Sequence, residues 1–266
     1  MPDDPNMTLH LPTPDKTKLN SAPLDVVVCQ LKYDTNLAVP ETHIARWLHD
    51  GLGGRRGRYP QVERVQTQSV SVGLVEGGPP SVSTAPVTGW RFKSEDDKWI
   101  VSVLAEHVSI ETTAYETWTD FRERLEEVLR LVAEQLDPAF EQRLGLRYID
   151  RLVEDGIEHP GAWSRVVVSE LLGPVLHPGF GAALRVAQQH IIFDLDEAGD
   201  VRCTFRHGVS NLPDDEPSYT LDYDVYREEA RPFSVEDTLE AVDAFNEYAL
   251  QLFQASITPA YLETLK

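Results

Sequence analysis

An ordered set of matches between the two halves of the chain constrains the fold most strongly. The segment 108–115, Val-Ser-Ile-Glu-Thr-Thr-Ala-Tyr, aligns without gaps on 219–226, Tyr-Thr-Leu-Asp-Tyr-Asp-Val-Tyr. A long amphipathic helix is predicted after each segment, and Asp137-Pro-Ala-Phe then aligns on Thr258-Pro-Ala-Tyr. Because the matches occur in the same order and about 110 residues apart, they predict a duplicated unit of domain size.

Hydrophobic periodicity predicts the elements of each half. Alternating apolar and β-branched residues predict strands, which cover residues 24–33, 62–74, 90–92, 99–104, 108–115, 144–152, 182–195, 201–206 and 219–226. Two long helices are expected to begin after Thr117 and Ser234, because a hydroxyl residue followed three positions later by an acid is typical of a helix N-terminus. Shorter helices are predicted over 41–49 and over 161–172.

This element plan predicts an α+β fold made of two tandem β-α-β(3–4)-α repeats. We expect a curved antiparallel sheet in each repeat, packed on its long C-terminal helix, with the two repeats related by a pseudo-two-fold axis and packed as one compact body. Residues 1–22 are rich in proline and polar residues and are predicted to form a disordered tail. The repeats are assigned to 23–140 and 141–266. Their plan resembles the helix-grip folds and the repeats of the TATA-box-binding protein.

A strand rich in arginine opens the second repeat. Successive strand side chains alternate between faces, so Arg143, Arg147 and Arg151 share one face, while Tyr148 and Asp150 lie on the other. The same strand supplies Leu146-Arg147-Tyr148, which matches Leu31-Lys32-Tyr33 in the first repeat.

Two interpretations of these arginines remain open. They form an anion-binding groove between the repeats, or they form salt bridges between the repeats with the equivalent acids Glu111 and Asp222. Arg143, Arg147, Tyr148, Asp150 and Arg151, with those two acids, are the candidate binding residues.

The charge balance argues against two classes of partner. The chain carries 44 acidic residues against 24 lysines and arginines, a net charge of −20. Such a field repels duplex nucleic acid and anionic membrane surfaces and favours a basic protein partner. The sequence contains neither an apolar run long enough to span a membrane nor a signal peptide, and its two cysteines lie far apart. A cytoplasmic location is therefore expected.

No motif for catalysis, a metal or a cofactor is found in the sequence. Nucleophile elbows, Cys-x-x-Cys pairs and Walker sequences are absent, and the histidines are scattered. The glycine-rich segment that contains Arg55, Arg56 and Arg58 lacks the strand–loop–helix setting of a nucleotide loop. Those arginines are candidates for an anion-binding loop. We expect no cofactor and no metal, and the sequence favours a non-enzymatic role without deciding it.

Several segments together resemble a sporadically distributed family of bacterial proteins with no assigned activity. They are Pro23–Val28, Trp90-x-Phe92, Tyr115-x-x-Trp118-x-x-Phe121, Arg143-Leu-Gly-Leu-Arg-Tyr-Ile-Asp150 and Leu221-Asp-Tyr-Asp-Val225. The sequence departs from the family pattern at Asp150, where Asn is usual. The patchy occurrence of the family implies accessory loci, such as defence islands and toxin–antitoxin pairs.

Three functional hypotheses follow. The leading one is an accessory-locus protein that binds a protein partner encoded by a neighbouring gene, or a second copy of itself, as an antitoxin, immunity protein or defence-complex subunit does. The alternative is a helix-grip module that binds a small molecule in an apolar cavity lined by Trp90, Trp99, Trp118 and Tyr148. The third is an enzyme that uses the arginine strand and Asp150.

Overall fold

The protein is described by a computed structural model that covers residues 11–73, 81–210 and 216–266, with side chains undescribed over 67–87. Contacts between residues group the chain into two compact units. Unit 1 comprises the described parts of Met1–Val28, Leu144–Glu229 and Thr238–Lys266, and unit 2 comprises those of Cys29–Arg143 and Ala230–Asp237. Both helices and a large antiparallel sheet are present, which confirms the α+β class.

Unit 2 contains an antiparallel sheet and two helices. Its elements are the second half of β1 (Leu24–Tyr33), α1 (Thr42–Gly51), β2 (Gln61–Gly73), β3 (Ser81–Lys93), β4 (Trp99–Leu104), β5 (His107–Thr112) and α2 (Trp118–Leu136). The strand order is β2-β3-β4-β5-β1. Register is antiparallel in the first three pairs, as in Trp90 opposite Val103 and Val101 opposite Ile110.

Helix α2 provides the buried apolar stripe of unit 2. Its buried residues recur at helical spacing and are Phe121, Leu125, Val128, Leu129, Val132 and Leu136. The Thr117 side chain accepts a hydrogen bond from the backbone N–H of Asp120, which satisfies one of the free donors at the helix start. Asp137 ends the helix in the left-handed conformation. The predicted cap and buried face of this helix are both confirmed.

The described part of unit 1 contains an antiparallel sheet and three α-helices. Its elements are the first half of β1, most of β6 (Phe140–Leu152), α3 (Ser169–Leu172), β7 (Val186–Asp194), β8 (Arg202–Ser210), β9 (Ser218–Arg227), most of α4 (Val235–Ser256) and α5 (Pro259–Leu265). The strand order is β1-β6-β9-β8-β7. A two-residue strand, β10 (Arg231–Pro232), pairs with the start of β6 in unit 2.

The two faces of the unit 1 sheet differ in burial. Leu144, Leu146 and Leu152 of β6 are fully buried on the inner face. The inner face also meets α4, because the Tyr148 hydroxyl donates a 2.7 Å hydrogen bond to Asn246 Oδ1. The arginines of β6 alternate with these residues and lie on the outer face. The alternation predicted for this strand is therefore confirmed.

Two local predictions are wrong, one in α1 and one after β6. Helix α1 buries Ile44, Ala45 and Leu48, whereas Trp47 is 51% exposed and makes an edge contact with His43. Helix α1 ends at Gly51, close to the predicted end near His49. The expected single helix over 161–172 is instead a 3₁₀ turn, Pro160–Arg165, followed by the one-turn α3.

The interrupted helix has a clear physical cause. Val166, Val167 and Val168 separate its two parts, and β-branched residues favour extended backbone. Val168 N–H donates to Ser256 O, and Thr258 N–H donates to Val166 O. The valine segment thus pairs with the backbone at the end of α4, which a continuous helix would not allow.

The described part of the N-terminal segment makes a few contacts with the C-terminus. Residues 11–22 form no helix or strand, but Asn20 and Ser21 donate backbone hydrogen bonds to Leu265 O, and Asp15 forms an ion pair with Lys266. Residues 1–10 lie outside the described residues. The disordered tail over 1–22 stays a prediction. Of the helices in the described part of the chain, none has the length and apolar character to cross a membrane.

Candidate functional site

The outer face of unit 1 carries a cluster of one aspartate and two arginines. Arg147 of β6 donates two hydrogen bonds of 2.7 Å, from Nε and Nη2, to the two carboxylate oxygens of Asp222 on β9. Arg206 of β8 approaches the same carboxylate from the other side at 3.5 Å. Asp222 is 8% exposed, so the arginines shield it from water.

This cluster fixes the arginines and leaves donors free for a ligand or partner. The hydrogen bonds to Asp222 raise the pKa of Arg147 above its ordinary value, so its charge is permanent at neutral pH. A guanidinium group has five N–H donors, and Asp222 uses two of those of Arg147. The cluster therefore offers fixed positive charge and hydrogen-bond donors.

The cluster continues across the sheet to its edge strand. Strand register places Asp222 opposite Arg206, and Arg206 opposite His190 of β7. In the neighbouring row, Thr204 lies opposite Ile192. Opposing residues of antiparallel strands share a face. The outer face thus changes from charged side chains at β6 to a mixture of polar and exposed apolar side chains at β7.

Strand β7 is exposed on both faces. Its three large aliphatic residues, Val186, Ile191 and Ile192, are all exposed, and Ile192 reaches 58%. Ile191 lies on the inner face and Ile192 on the outer face. Within the described residues β7 pairs with β8 alone, which leaves the other row of its backbone N–H and C=O groups unpaired. Leu176 and Phe180, in the segment that leads into β7, are also exposed.

Two of the predicted binding residues lie on the opposite face of the sheet from Arg147. Tyr148 bonds to Asn246 of α4, and Asp150 is buried beside the interior tyrosines Tyr223 and Tyr261. Burial, and secondarily the charge of Asp25, raises the pKa of Asp150 to about 8. Neither residue can share a ligand with Arg147 on the outer face.

The remaining residues of the predicted cluster are dispersed. Arg151 is exposed, and its backbone N–H donates to Pro23 O. Arg143 and Glu111 belong to unit 2, where Glu111 lies on β5 opposite Ile100. The expected salt bridges between repeats are thus wrong for Arg147, whose partner Asp222 belongs to the same predicted repeat. The reason is that β6 and β9 are neighbouring strands of one sheet.

The predicted anion loop lies in unit 2, and its three arginines have different surroundings. Arg55 and Arg56 are exposed in a 3₁₀ turn, Gly54–Arg56. Arg58 contacts Glu127 of α2 at 3.5 Å. Arg55 lines an open pocket together with His49, Pro60 and Val62.

The aromatic residues expected to line a ligand cavity pack against protein atoms. Trp90 donates its indole N–H to Val39 O, and Trp99 lies between Phe121 and the Arg124 guanidinium. Trp118 also stacks on Phe121. These three tryptophans belong to unit 2, whereas Tyr148 belongs to unit 1. The described residues contain no group of histidine, cysteine and carboxylate side chains arranged to hold a metal ion.

Sequence reasoning missed Arg206 and the exposed β7. The sequence did contain a signal that β7 is exposed. Gln188-Gln189-His190 interrupts its apolar pattern, and a buried strand would not carry three polar residues in succession. Arg206 gave no signal of its own, since its link to Asp222 depends on the pairing of β8 with β9.

Comparisons with known proteins do not assign a function. No protein-family model and no curated protein matches the chain. Among solved structures, the chain is weakly similar to the Pct1 RNA triphosphatase of S. pombe, both in complex with the Spt5 CTD and alone. Identity is 10% in each case, 86% of this chain is covered, and 83% and 82% of the Pct1 chains are covered. The TM-score of 0.13 is too low to support an argument about fold or function.

Proposed function

We propose that this protein acts by binding a partner protein, as an antitoxin, immunity protein or defence-complex subunit does, and that the partner adds a strand to β7. The observation that carries the proposal is the exposure of Val186, Ile191 and Ile192 on an edge strand with an unpaired backbone row. Folded proteins usually protect such edges with lysine, proline, bulges or a covering element. Strand β7 contains neither lysine nor proline.

The expected partner carries net positive charge and presents an extended apolar segment. A net charge of −20 attracts basic proteins and repels acidic ones. Strand addition supplies main-chain hydrogen bonds, and alternate side chains of the added strand contact the two faces of the sheet. Ile191 and Ile192 supply an apolar contact on each face. On the outer face, Arg206 and Arg147 are held in place by Asp222 and supply a polar border.

Arginine is enriched among the central interface residues that contribute most of the binding energy. Because Asp222 already orders Arg147, the arginine loses little conformational freedom on binding. The resemblance to a patchily distributed bacterial family supports an accessory-locus role and a partner encoded by an adjacent gene.

Co-expression with the products of the adjacent genes tests the proposal. We expect a stable complex by size-exclusion chromatography with light scattering. Ile192→Lys should weaken the complex about 30-fold, the change that corresponds to about 2 kcal/mol at a central interface residue. Leu37→Lys is the matched control, because Leu37 is 84% exposed in unit 2 and distant in sequence from β7.

Two results would overturn the proposal. The first is a complex that Ile192→Lys leaves unchanged. The second is a chain that remains monomeric and binds no product of an adjacent gene. If the chain instead forms a dimer with itself and Ile192→Lys abolishes that dimer, the occupant of β7 is a second copy and the heterologous partner is rejected.

The duplication and the enzyme hypothesis remain to be considered. We propose that the two halves of the chain arose by duplication, since the described elements follow the order β-α-β-β-β-β-α and then β-α-β-β-β-α when the 3₁₀ turns, β10 and α5 are set aside. An enzyme that combines Arg147 with Asp150 has no support, because these residues lie on opposite faces of β6.

A further inference from the structure

An open pocket of about 510 Å³ in unit 2 combines a cationic residue with an apolar wall. It is lined by His49 in the last turn of α1, by Arg55 in the following 3₁₀ turn, by Pro60 just before β2, and by Val62 near the start of β2. The pocket is separate from β7, which belongs to unit 1.

Arg55 forms no ion pair with an acidic residue among the described residues, unlike three other basic residues of unit 2. Arg58 contacts Glu127, Arg124 contacts Asp120, and Lys93 contacts Glu63. In a chain with many more acids than bases, an arginine that faces a pocket without a carboxylate partner retains its capacity to bind an external anion.

His49 is the second polar residue that lines the pocket. Its ring lies parallel to the buried Phe92, with centroids 6.4 Å apart and planes 13° apart. Its Nε2 is shielded from solvent and has no hydrogen-bond partner in the described part of the chain. A buried polar atom of this kind is usually completed by water or by a ligand.

The loop that carries Arg55 has a backbone that side chains would disrupt. Gly53 and Gly54 have φ of 89° and 60°, in the left-handed region. A Cβ atom at Gly57 would lie 2.1 Å from Leu52 O. The loop is therefore a tight turn that depends on glycine, and it carries Arg55, which lines the pocket.

We propose that this pocket binds a small organic anion. Its phosphate or carboxylate group is held by Arg55 beside the His49 ring, and its apolar part rests on Pro60 and Val62. Arginine presents paired N–H donors that match either oxyanion, and the apolar wall distinguishes an organic ligand from a free inorganic ion.

Calorimetric titration of the full-length protein tests the proposal with phenyl phosphate, benzoate and inorganic phosphate as probes. We expect phenyl phosphate or benzoate to bind at least about tenfold more tightly than inorganic phosphate, because only the organic anions bury apolar surface. Arg55→Gln should weaken binding at least about tenfold, as expected for loss of a charge-assisted hydrogen bond. The organic anion that binds more tightly, phenyl phosphate or benzoate, shows whether the pocket prefers a phosphate or a carboxylate group.

Two variants provide the controls. Arg56→Gln removes the same charge from the adjacent exposed residue, which does not line the pocket, and should leave binding within about twofold of wild type. His49→Phe keeps a ring against Phe92 and removes the nitrogen atoms, so it should weaken binding while the thermal midpoint stays close to that of wild type.

Three outcomes would each overturn the proposal. The first is no binding of either organic anion at millimolar concentration. The second is equal affinity for inorganic phosphate and the organic anions, which would leave the apolar wall without a role. The third is equal weakening by Arg55→Gln and Arg56→Gln, which would indicate general attraction to the basic loop.

Discussion

The Arg147 guanidinium donates two parallel hydrogen bonds, each 2.7 Å long, to the Asp222 carboxylate on the neighbouring strand. Asp222 is 8% exposed and Arg147 is 41% exposed, so the aspartate depends on its partners for solvation more than the arginine does. Arg206 adds a third contact to the same carboxylate. The arginine strand is thus tied to its own sheet, and its remaining donors face outward.

Arg147→Ala should destabilise unit 1 by about 1–2 kcal/mol. The loss leaves a buried carboxylate with Arg206 as its main partner, while the partial exposure of Arg147 limits the cost through solvent screening. Urea denaturation monitored by circular dichroism measures the change. Arg151→Ala is the matched control, since Arg151 is exposed on the same strand and face, and its expected change is below about 0.5 kcal/mol. Equal effects of the two substitutions would refute the structural role of the pair.

Asp150→Asn should stabilise the protein at alkaline pH. The folded-state pKa of Asp150 is raised to about 8 by burial, against about 3.9 in an unfolded chain. Folding therefore keeps a proton that the unfolded chain releases, and stability falls as pH rises from about 4 to 8. At pH 9 we expect Asp150→Asn to raise the free energy of unfolding by on the order of 4 kcal/mol. This difference from wild type should become smaller as the pH is lowered toward 4.

Thermal unfolding of wild type and Asp150→Asn between pH 4 and 9 measures this effect. Asp155→Asn, at an exposed aspartate in the loop after β6, controls for the loss of one negative charge from a strongly acidic chain. A gain that does not depend on pH, or an equal gain from the control, would contradict the assignment of a buried protonated acid.

Thr117→Ala should destabilise unit 2 by about 1 kcal/mol, because it removes the acceptor that caps α2 at the Asp120 N–H. Chemical denaturation monitored by tryptophan fluorescence measures this change, since Trp90, Trp99 and Trp118 all lie in unit 2. Thr119→Ala, within the exposed first turn, should be neutral or slightly stabilising owing to the higher helix propensity of alanine. The two threonine variants should therefore shift the midpoint in different directions or by clearly different amounts.

Gly208→Ala should loosen the edge strand that we propose as the partner site. A Cβ atom at Gly208 would lie 2.0 Å from Ala187 O and 2.8 Å from Gln188 Cα, so β7 must shift away from β8. We expect a cost of about 1–3 kcal/mol, typical of overpacking. Amide hydrogen exchange should be faster in β7 of the variant than in β7 of wild type, and the increase should be larger in β7 than in β9. Ser210→Ala is the control: Ser210 lies at the end of β8, the strand that contains Gly208, and its substitution should not change the amide exchange rates of β7.

The sequence by itself determined most of the elements and the two faces of β6. Alternation in β6 and the Thr117 cap of α2 are local properties, because the side-chain direction in a strand and the first turn of a helix depend on residues close in sequence. Local periodicity still gave the wrong buried side at Trp47. An amphipathic helix can rotate about its axis, and its neighbours set the final orientation.

Only the tertiary structure decided which side chains meet. Both acids proposed as partners of Arg147 fit the sequence equally well, and the choice of Asp222 over Glu111 follows from the pairing of β6 with β9. The exposure of β7 likewise follows from its place at the end of the strand order. Strand order depends on contacts between residues far apart in the chain, and a pattern of alternating residues records which face is buried but not which strand lies beside it.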